Sequence, residues 1–391
     1  MTTVKVEYGK AVLFQLDSSA FGVLDVNLLG VGEELVDVSE RVVSLSVSRG
    51  RQDALEPVRS GQASVTLRNL DGALDPLNPA SPLAPGVEPA RTLNIYADDV
   101  QVFAGIVEDI ELDFTAGGDA AVVISASDNL SRLALAELPP AGLAVTEEDS
   151  GARVDAVLAS DPRYWPAGTT IATGDSTLAA GTAEGNVVEY LNTVAKSEGG
   201  TLFVGRTGNL VFRNRLFAVT QAPVILSDDG GAIDYEDLTR QTSGEVLRTV
   251  ATGERDGTRI ERENALGLER FGFRALNLGN LLLRTDADVE QRLDFELTLR
   301  SFPKPTVREV RVNQLREQTL PVIQLELGDP IIVEFTPPGV SQVTEAGVVL
   351  NVRHDFTIGQ GWRTSIAMQP AELSGFMILN TGRLDFDALA F

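Results

Sequence analysis

Alternating apolar and polar residues in the first third of the chain predict paired β-strands. Residues 41–50 alternate over one strand length, and residues 61–70 place Ala63, Val65 and Leu67 on one face. Asp71-Gly72 then ends the second pattern with a dipeptide typical of tight turns. We therefore expect these two segments to pair with each other.

A proline-rich stretch separates these strands from the next group. Residues 73–89 carry prolines at 76, 79, 82, 85 and 89, which is incompatible with regular strand pairing and predicts an ordered loop or an arm. Strand patterns resume at 91–97, 100–109 and 121–128, with Gly117-Gly118-Asp119 turning the chain between the last two. This density of strands predicts a small barrel or sandwich.

The pattern changes to helical spacing in the middle of the chain. We expect one helix over 150–159, with Ser150 as its cap. A second is expected over 183–197, with Gly199-Gly200 ending it. Residues 201–204 and 210–213 then predict a short hairpin.

The last part returns to strand patterns. An amphipathic helix is predicted over 286–298, between two groups of strands. The predicted strands cover 245–254, 258–263, 307–312, 330–335, 345–356 and 361–369. The final four indicate a second β-barrel.

Composition narrows the function classes. The 391 residues include no cysteine and one histidine, His354, so neither a disulfide framework nor a His-rich metal site is expected. The formal net charge of -24 disfavours ordinary binding of nucleic acid through a basic groove. No run of apolar residues is long enough to span a membrane, and the start lacks the pattern of a secretion signal, so neither membrane insertion nor export is expected.

Three groups of residues could in principle support chemistry. Glu147-Glu148-Asp149 and Asp228-Asp229 offer carboxylates for a glycosidase pair, but adjacent acids in turns are more typical of solvated surface. Residues 69–75 alternate oxygen-bearing side chains as a calcium loop does, yet lack its distal glutamate, so a turn is the better interpretation. His354 ends an apolar strand, where a hydrogen-bonded structural histidine is expected. We therefore predict no catalytic, cofactor-binding or metal-binding residues.

Two further features concern binding. Tyr164-Trp165 is the one notable aromatic pair, which could stack on a sugar or fill a core. The two ends of the chain also echo each other: residues 14–29 and 376–389 both contain an apolar start, a glycine turn and a Leu-Asp pair. The echo is either a chance similarity or a pair of arms that dock on neighbouring subunits.

The order of several motifs resembles that of minor tail proteins, or tail hub proteins, of long-tailed actinobacteriophages. The run from Gly61 to Gly72, followed by Asp75-Pro76 and Ser81-Pro82, is similar to their N-terminal signature. Phe103-Ala104-Gly105-Ile106-Val107 with Ala126-Ser127-Asp128-Asn129-Leu130 looks like the continuation of that first region, and the passage from Tyr190 through Phe212 resembles the family's middle region. Near the end of the chain, the similar motifs are Leu327-Gly328-Asp329-Pro330-Ile331, Gly347-Val348-Val349 through His354, and Trp362.

The resemblance implies a mainly β fold with a few helices, in which two tube-like β-barrel domains flank a middle α/β hub region. The expected organisation is an N-terminal arm (1–39), a first barrel (40–137), a middle helix and hairpin domain (138–225), a second barrel (226–373) interrupted by an insertion at about 245–303, and a C-terminal arm (374–391).

The implied function is structural and non-enzymatic: a trimeric hub at the tail tip of the virion, assembled in the host cytoplasm, that closes the tail tube and lets DNA pass without sequence-specific binding. The implied partners are the distal tail protein, the tape measure protein and tail fibres or a spike. Two alternatives stay open at this point, namely a host-surface or sugar-binding tail module and a cell-wall hydrolase.

Overall fold

The computed structural model describes residues 3–12, 32–52, 55–83, 87–116, 118–165, 167–313 and 320–371. Its fold is mainly β with a few helices, as the sequence predicts. The regular elements in the described part of the first third are strands, apart from a 3-10 helix at Ser39–Arg41. Its strands are β1 (Val4–Val12), β2 (Gly32–Asp37), β3 (Val42–Gly50), β4 (Arg59–Arg68), β5 (Thr92–Ala97), β6 (Val100–Phe114) and β7 (Ala120–Ser127).

The middle region mixes short strands and helices. Its elements are α1 (Leu130–Leu133), β8 (Leu143–Val145), β9 (Glu148–Asp149), α2 (Ser150–Ala159), β10 (Thr169–Ile171), β11 (Thr177–Leu178), β12 (Gly181–Ala183), α3 (Val187–Glu198), β13 (Thr201–Val204) and β14 (Leu210–Arg213).

The remaining part begins with a 3-10 turn at Phe217–Thr220. It contains β15 (Val224–Ser227), β16 (Asp237–Gln241), β17 (Val250–Arg255), β18 (Thr258–Glu263), α4 (Ala265–Phe271), β19 (Ala275–Asn280), α5 (Asp286–Arg300), β20 (Thr306–Asn313), α6 (Leu320–Ile323), β21 (Pro330–Phe335), β22 (Val343–Thr357) and β23 (Gly361–Pro370). None of the helices in the described ranges combines the length and apolar character that a bilayer span requires.

One 13-stranded sheet contains the strands of both predicted barrels. Its hydrogen-bonded path runs β16-β20-β23-β22-β3-β4-β7-β6-β5-β1-β2, and β21 joins β22 to β15 beside that path. Strands β3 and β4 pair antiparallel, which confirms the pairing predicted from their alternation. Among the described strands the path stays open, with β16 and β2 at its ends.

The long strand β22 joins the two halves of the sheet. One edge of β22 pairs with β23; along the other edge, its residues 343–348 pair with β21 and its residues 351–357 pair with β3. The sheet therefore forks at the point where β3 ends, at Gly50. A Cβ on Gly50 would lie 2.2 Å from the carbonyl oxygen of Leu350, and Gly50 has φ +120°. Glycine is needed there for both reasons.

Three apolar cores lie on this framework. The first-half core includes Trp362 and Ile323 from the second half, and a second core lies under β20 to β23. The third core combines the middle region with residues of the predicted insertion, among them Leu276, Val289 and Leu293. Residues within 245–303 thus share a core with the middle region.

Several predicted boundaries change. Strands β1 and β2 pair with each other, and β1 pairs with β5, so residues 4–12 and 32–37 extend the sheet where an arm was predicted. Residues 13–31 lie outside the described residues, as do those from 372 onward, and both copies of the terminal echo fall entirely there. Helix α3 begins four residues later than predicted, because the Asn186 side chain accepts hydrogen bonds from the backbone N–H of Val188 and Glu189.

The cap of α2 is also corrected. Asp149, and not Ser150, is the N-cap, since its side chain accepts a hydrogen bond from the backbone N–H of Ala152. Ser150 is the first helical residue, and its hydroxyl instead donates to the Glu198 carboxylate at 2.8 Å.

The proline-rich stretch is a series of turns with a repeat of three residues. The backbone N–H groups of residues 72, 75, 78 and 81 each donate to the carbonyl three residues earlier. Pro76 and Pro79 occupy the second position of their turns, where the fixed φ of proline fits. The Asp75 and Asn78 side chains accept from backbone N–H groups two residues on. The ordered loop predicted over 73–89 is confirmed for residues 73–83.

Candidate functional site

A deep cleft of about 680 Å³ lies where the middle region, α5 and the end of the large sheet meet. The last turn of α3 and the second half of α5 form two of its walls, and Pro370 at the end of β23 forms part of a third with Ala371. A concave site of this size between structural units is the usual place to look for a ligand or partner.

The cleft is cationic in a chain that is strongly acidic. Its charged lining comprises Arg51, Lys196, Arg215, Arg292 and Arg300, opposed by Glu56 and Glu296. The formal charge of the whole chain is -24. The lining therefore has the opposite sign to the protein as a whole and favours an anionic occupant.

Glu296 is neutralised within the lining. Arg292 Nη2 donates to Glu296 Oε1 at 2.8 Å, and Arg300 Nε donates to Oε2 at 2.7 Å. Burial alone would raise the pKa of Glu296, but the two guanidinium groups outweigh it and lower the pKa to about 2. The carboxylate is thus ionised and shared between two arginines, which leaves one positive charge in excess.

Lys196 adds a second uncompensated charge. Its ammonium group has no hydrogen-bond or ion-pair partner in the described ranges, while its backbone carbonyl accepts from Arg292 Nε at 3.1 Å. Burial lowers the pKa of Lys196, and the nearby charge of Arg292 lowers it further. Arg292 is almost fully buried, and its Nη1 also has no acceptor. Among the described residues, neither the half-buried Lys196 ammonium nor Arg292 Nη1 has the acceptor that a buried polar group normally has.

Apolar side chains cover the rest of the lining. They include Leu202, Leu276 and Leu278 on the floor and Leu216, Val219 and Phe295 near the opening. Leu216 and Val219 are partly exposed to solvent. The arrangement can bind a chain of mixed apolar and acidic character, because it offers both apolar area and unpaired positive charge.

His354 lies elsewhere and is buried. Its Nδ1 is 2.9 Å from Thr364 Oγ1, its ring packs 5.4 Å from that of Trp362, and it has no exposed surface. Burial, and then the charge of Arg49, lower the pKa of His354 to about 3. The structure places it in the core as a hydrogen-bonded residue, which confirms the structural interpretation.

The first predicted carboxylate cluster is engaged in structural contacts. Glu148 Oε1 pairs at 2.5 Å with Nε of Arg153, a residue that is 1% exposed. Glu147 pairs with Arg284 at 3.2 Å, and Asp149 caps α2. Glu148 and Asp149 therefore stabilise the middle region, while Glu147 forms a half-exposed pair with a residue outside it.

The second carboxylate cluster shapes a turn. Asp228 accepts from the backbone N–H of Thr336 at 2.7 Å, and Asp229 accepts from Ser227 Oγ at 2.6 Å and from the backbone N–H of Gly231 at 2.8 Å. Side chains that accept from nearby backbone groups in this way are typical of turns.

The side-chain oxygens of the loop considered for calcium accept hydrogen bonds from groups of the protein itself. Asn69 Oδ1 accepts from the backbone N–H of Leu74 at 2.9 Å, and Asp71 pairs with Arg41 at 2.7 Å. Asp75 caps its own turn. No group of three or more potential metal ligands occurs in the described part of the chain.

The aromatic pair belongs to the core of the middle region. Trp165 is part of its apolar cluster and donates through Nε1 to the Gly168 carbonyl at 3.0 Å. Tyr164 donates through its hydroxyl to the Glu137 carbonyl at 2.6 Å. The core interpretation of this pair is therefore the correct one.

Sequence reasoning missed the cleft. Its cations come from positions 51, 196, 215, 292 and 300, and no local spacing connects them. The only local signal is the triplet Arg292, Glu296 and Arg300 at helical spacing on α5, which reads equally well as an exposed helix face.

No protein family profile and no curated protein sequence matches the chain. Several solved structures are similar to the chain. A tail protein from Neisseria meningitidis is similar with a TM-score of 0.62 and 13% identity, over 95% of this chain and 97% of its own. The 43 kDa tail protein of prophage MuSo2 from Shewanella oneidensis has a TM-score of 0.62 and 14% identity, over 95% of this chain and 98% of its own. The prophage tail protein gp18 from Listeria monocytogenes has a TM-score of 0.53 and 12% identity, over 95% of this chain and 96% of its own. This chain therefore has the fold of these tail proteins along almost its whole length.

Proposed function

We propose that this chain is a non-enzymatic structural subunit of a phage tail, located at the tail tip, where three copies form a hub that closes the tail tube. The observation that carries the proposal is the extent of the fold similarity. It spans 95% of this chain and nearly all of two proteins named as tail proteins. Because identity is only 13–14%, the likeness is one of architecture, and the proposed role is carried over to this chain by analogy with those proteins.

The two-part sheet supports the hub. β22 and β3 join two sheet halves with separate cores, so three subunits would present six such halves around one axis. Six halves match the six-fold symmetry of a tail tube. The terminal strands β16 and β2 have one neighbour each among the described strands, which leaves edges that a neighbouring subunit can extend.

The charge supports the passage of DNA. A net charge of -24 repels phosphate, so DNA moving through a channel bordered by this protein would not adhere to it. In this proposal the distal tail protein lies above the hub, the tape measure protein inside it, and fibres or a spike below it.

The buried aromatic residues count against a sugar-binding module. The chain has two tryptophans, and both Trp165 and Trp362 lie in apolar cores. Tryptophan is the residue best suited to stacking on a sugar ring, and here neither one is on the surface.

The test is the oligomeric state of the purified chain and its place in the particle. We expect mass photometry to give three times the chain mass of 41.8 kDa, and electron microscopy to show rings. Antibody labelling of intact particles should mark the tail tip. A chain that stays monomeric at high concentration and does not bind distal tail protein would contradict the hub, and release of soluble peptidoglycan fragments would contradict the non-enzymatic role.

A further inference from the structure

The cleft has unpaired positive charge and apolar walls, and the chain contains a segment of matching chemistry that starts at its rim. Ala371, the last described residue, is part of the cleft lining. Residues 372–391 follow it directly. We propose that the cleft is the docking site of the chain's own C-terminal segment, residues 372–391.

The composition of the segment fits the lining. Residues 376–379 read Phe-Met-Ile-Leu, and Asp385 and Asp387 alternate with Leu384 and Phe386. The apolar residues match the apolar walls, and the two aspartates offer acceptors for the Lys196 ammonium and for Nη1 of Arg292. An ion pair between a half-buried ammonium and a carboxylate in a partly desolvated site contributes more binding free energy than the same pair on an open surface.

Reach and tethering favour this occupant over a free peptide. An extended chain spans roughly 3.3–3.6 Å per residue, so a few residues beyond Ala371 are enough to cross a cleft of this size. Because the segment is covalently attached at the rim, its effective concentration at the cleft is on the order of millimolar, and even weak contacts suffice for occupancy.

The absence of cysteine allows a direct test in the full-length chain. Val219→Cys places a thiol at the opening of the cleft, and Leu379→Cys places one in the segment. Val246→Cys with the same Leu379→Cys is the matched control, because Val246 is 43% exposed against 39% for Val219 and does not line the cleft. A short bis-maleimide cross-linker followed by mass spectrometry measures the product at monomer mass. We expect the Val219→Cys, Leu379→Cys variant to give about tenfold more cross-linked monomer than the Val246→Cys, Leu379→Cys control.

Charge variants separate docking from mere proximity. In the Val219 pair, Lys196→Glu should reduce the cross-linked product about tenfold, and adding Asp385→Lys with Asp387→Lys should restore most of it. Lys196→Gln provides a milder variant if Lys196→Glu does not fold, which a thermal melt will show. Equal products from the Val219 and Val246 pairs, or a product insensitive to these charges, would overturn the proposal. A product found only at dimer mass would overturn it too, because the occupant would then be the segment of a second copy.

Discussion

Arg49 and Glu326 form a buried ion pair across the fork of the sheet: Arg49 Nη1 lies 2.5 Å from Glu326 Oε2, although 277 positions separate them. Arg49 belongs to β3 and is 2% exposed. Glu326 Oε1 also accepts from the backbone N–H of Arg206, in the turn of the β13-β14 hairpin, at 2.7 Å. One carboxylate therefore links the first half of the sheet, the middle region and the second half.

Removing this carboxylate should destabilise the protein strongly. Glu326→Ala leaves the Arg49 guanidinium buried without its counter-charge, and breaking one side of a buried pair typically costs about 3–5 kcal/mol. Urea denaturation followed by tryptophan fluorescence measures the free energy of unfolding. The control is Asp355→Ala, which removes the exposed Arg353–Asp355 pair and should change stability by no more than about 0.5 kcal/mol. Equal losses in the two variants would show that the link at Glu326 is not a significant source of stability.

Gly50 should be irreplaceable at the fork. In Gly50→Ala, a Cβ would meet the Leu350 carbonyl oxygen at 2.2 Å and the Asn351 Cα at 2.7 Å, both of which belong to the backbone. Gly359→Ala is the matched control, since Gly359 has φ +84° but nothing lies within 4 Å of its added Cβ. We expect the control to lose about 1–2 kcal/mol from backbone strain alone, and Gly50→Ala to lose about 1–3 kcal/mol more from overlap. Similar unfolding midpoints for the two variants would contradict the close approach.

His354 should make the stability depend on pH. Its pKa is about 3 in the folded chain against an ordinary value of 6.5, because burial excludes the charged ring. The unfolded chain therefore binds a proton below pH 6.5 that the folded chain does not, so this contribution to stability is complete above pH 6.5 and is lost as the pH falls towards 3. The loss approaches about 1.4 kcal/mol per pH unit.

The variant His354→Phe removes that titration and keeps a ring against Trp362. Between pH 6 and 4, its free energy of unfolding should fall less steeply than that of the wild type. Asp128 acts in the opposite direction in both proteins, because burial raises its pKa to about 6 and the stability from its neutral form is lost as pH rises through that value. The difference between the two profiles is therefore the measurement, and parallel profiles would refute a neutral buried histidine. His354→Gln serves as a second variant if the first does not fold.

Local patterns predicted the central strands because one face of each is buried. Ala63, Val65 and Leu67 alternate with polar residues and all lie in the first-half core, so a period of two identified β4. Strand β1 was missed although Val6 and Tyr8 are fully buried and also alternate. Its partner β5 lies beyond the proline-rich turns, and no feature near β1 indicates so distant a pairing.

The join between the halves and the cleft could not be predicted in the same way. The alternation in β22 predicts a strand, but it does not indicate that two strands, β21 and β3, pair with successive parts of the same edge of β22. The cleft depends on Lys196 at the end of α3 meeting Arg292 on α5, which requires the insertion to pack on the middle region. Such meetings are set by tertiary packing, which a single sequence does not encode in any short spacing.

The neighbouring acids Glu147 and Glu148 provide a test of whether this cluster is structural or catalytic. Glu148→Ala leaves the Arg153 Nε without its carboxylate, although that guanidinium keeps the Tyr190 hydroxyl at 2.9 Å and the Thr146 and Ala179 carbonyls at 2.6 and 2.9 Å. We expect a loss of about 3 kcal/mol in the free energy of unfolding, since Arg153 is buried. Glu147→Ala should cost no more than about 0.5 kcal/mol, because both partners of the Glu147–Arg284 pair are about half exposed. A glycosidase that uses these acids would lose its release of peptidoglycan fragments in either variant, although Glu147→Ala keeps full stability. We expect no such release from the wild type or from either variant, and only the stability difference to separate the two.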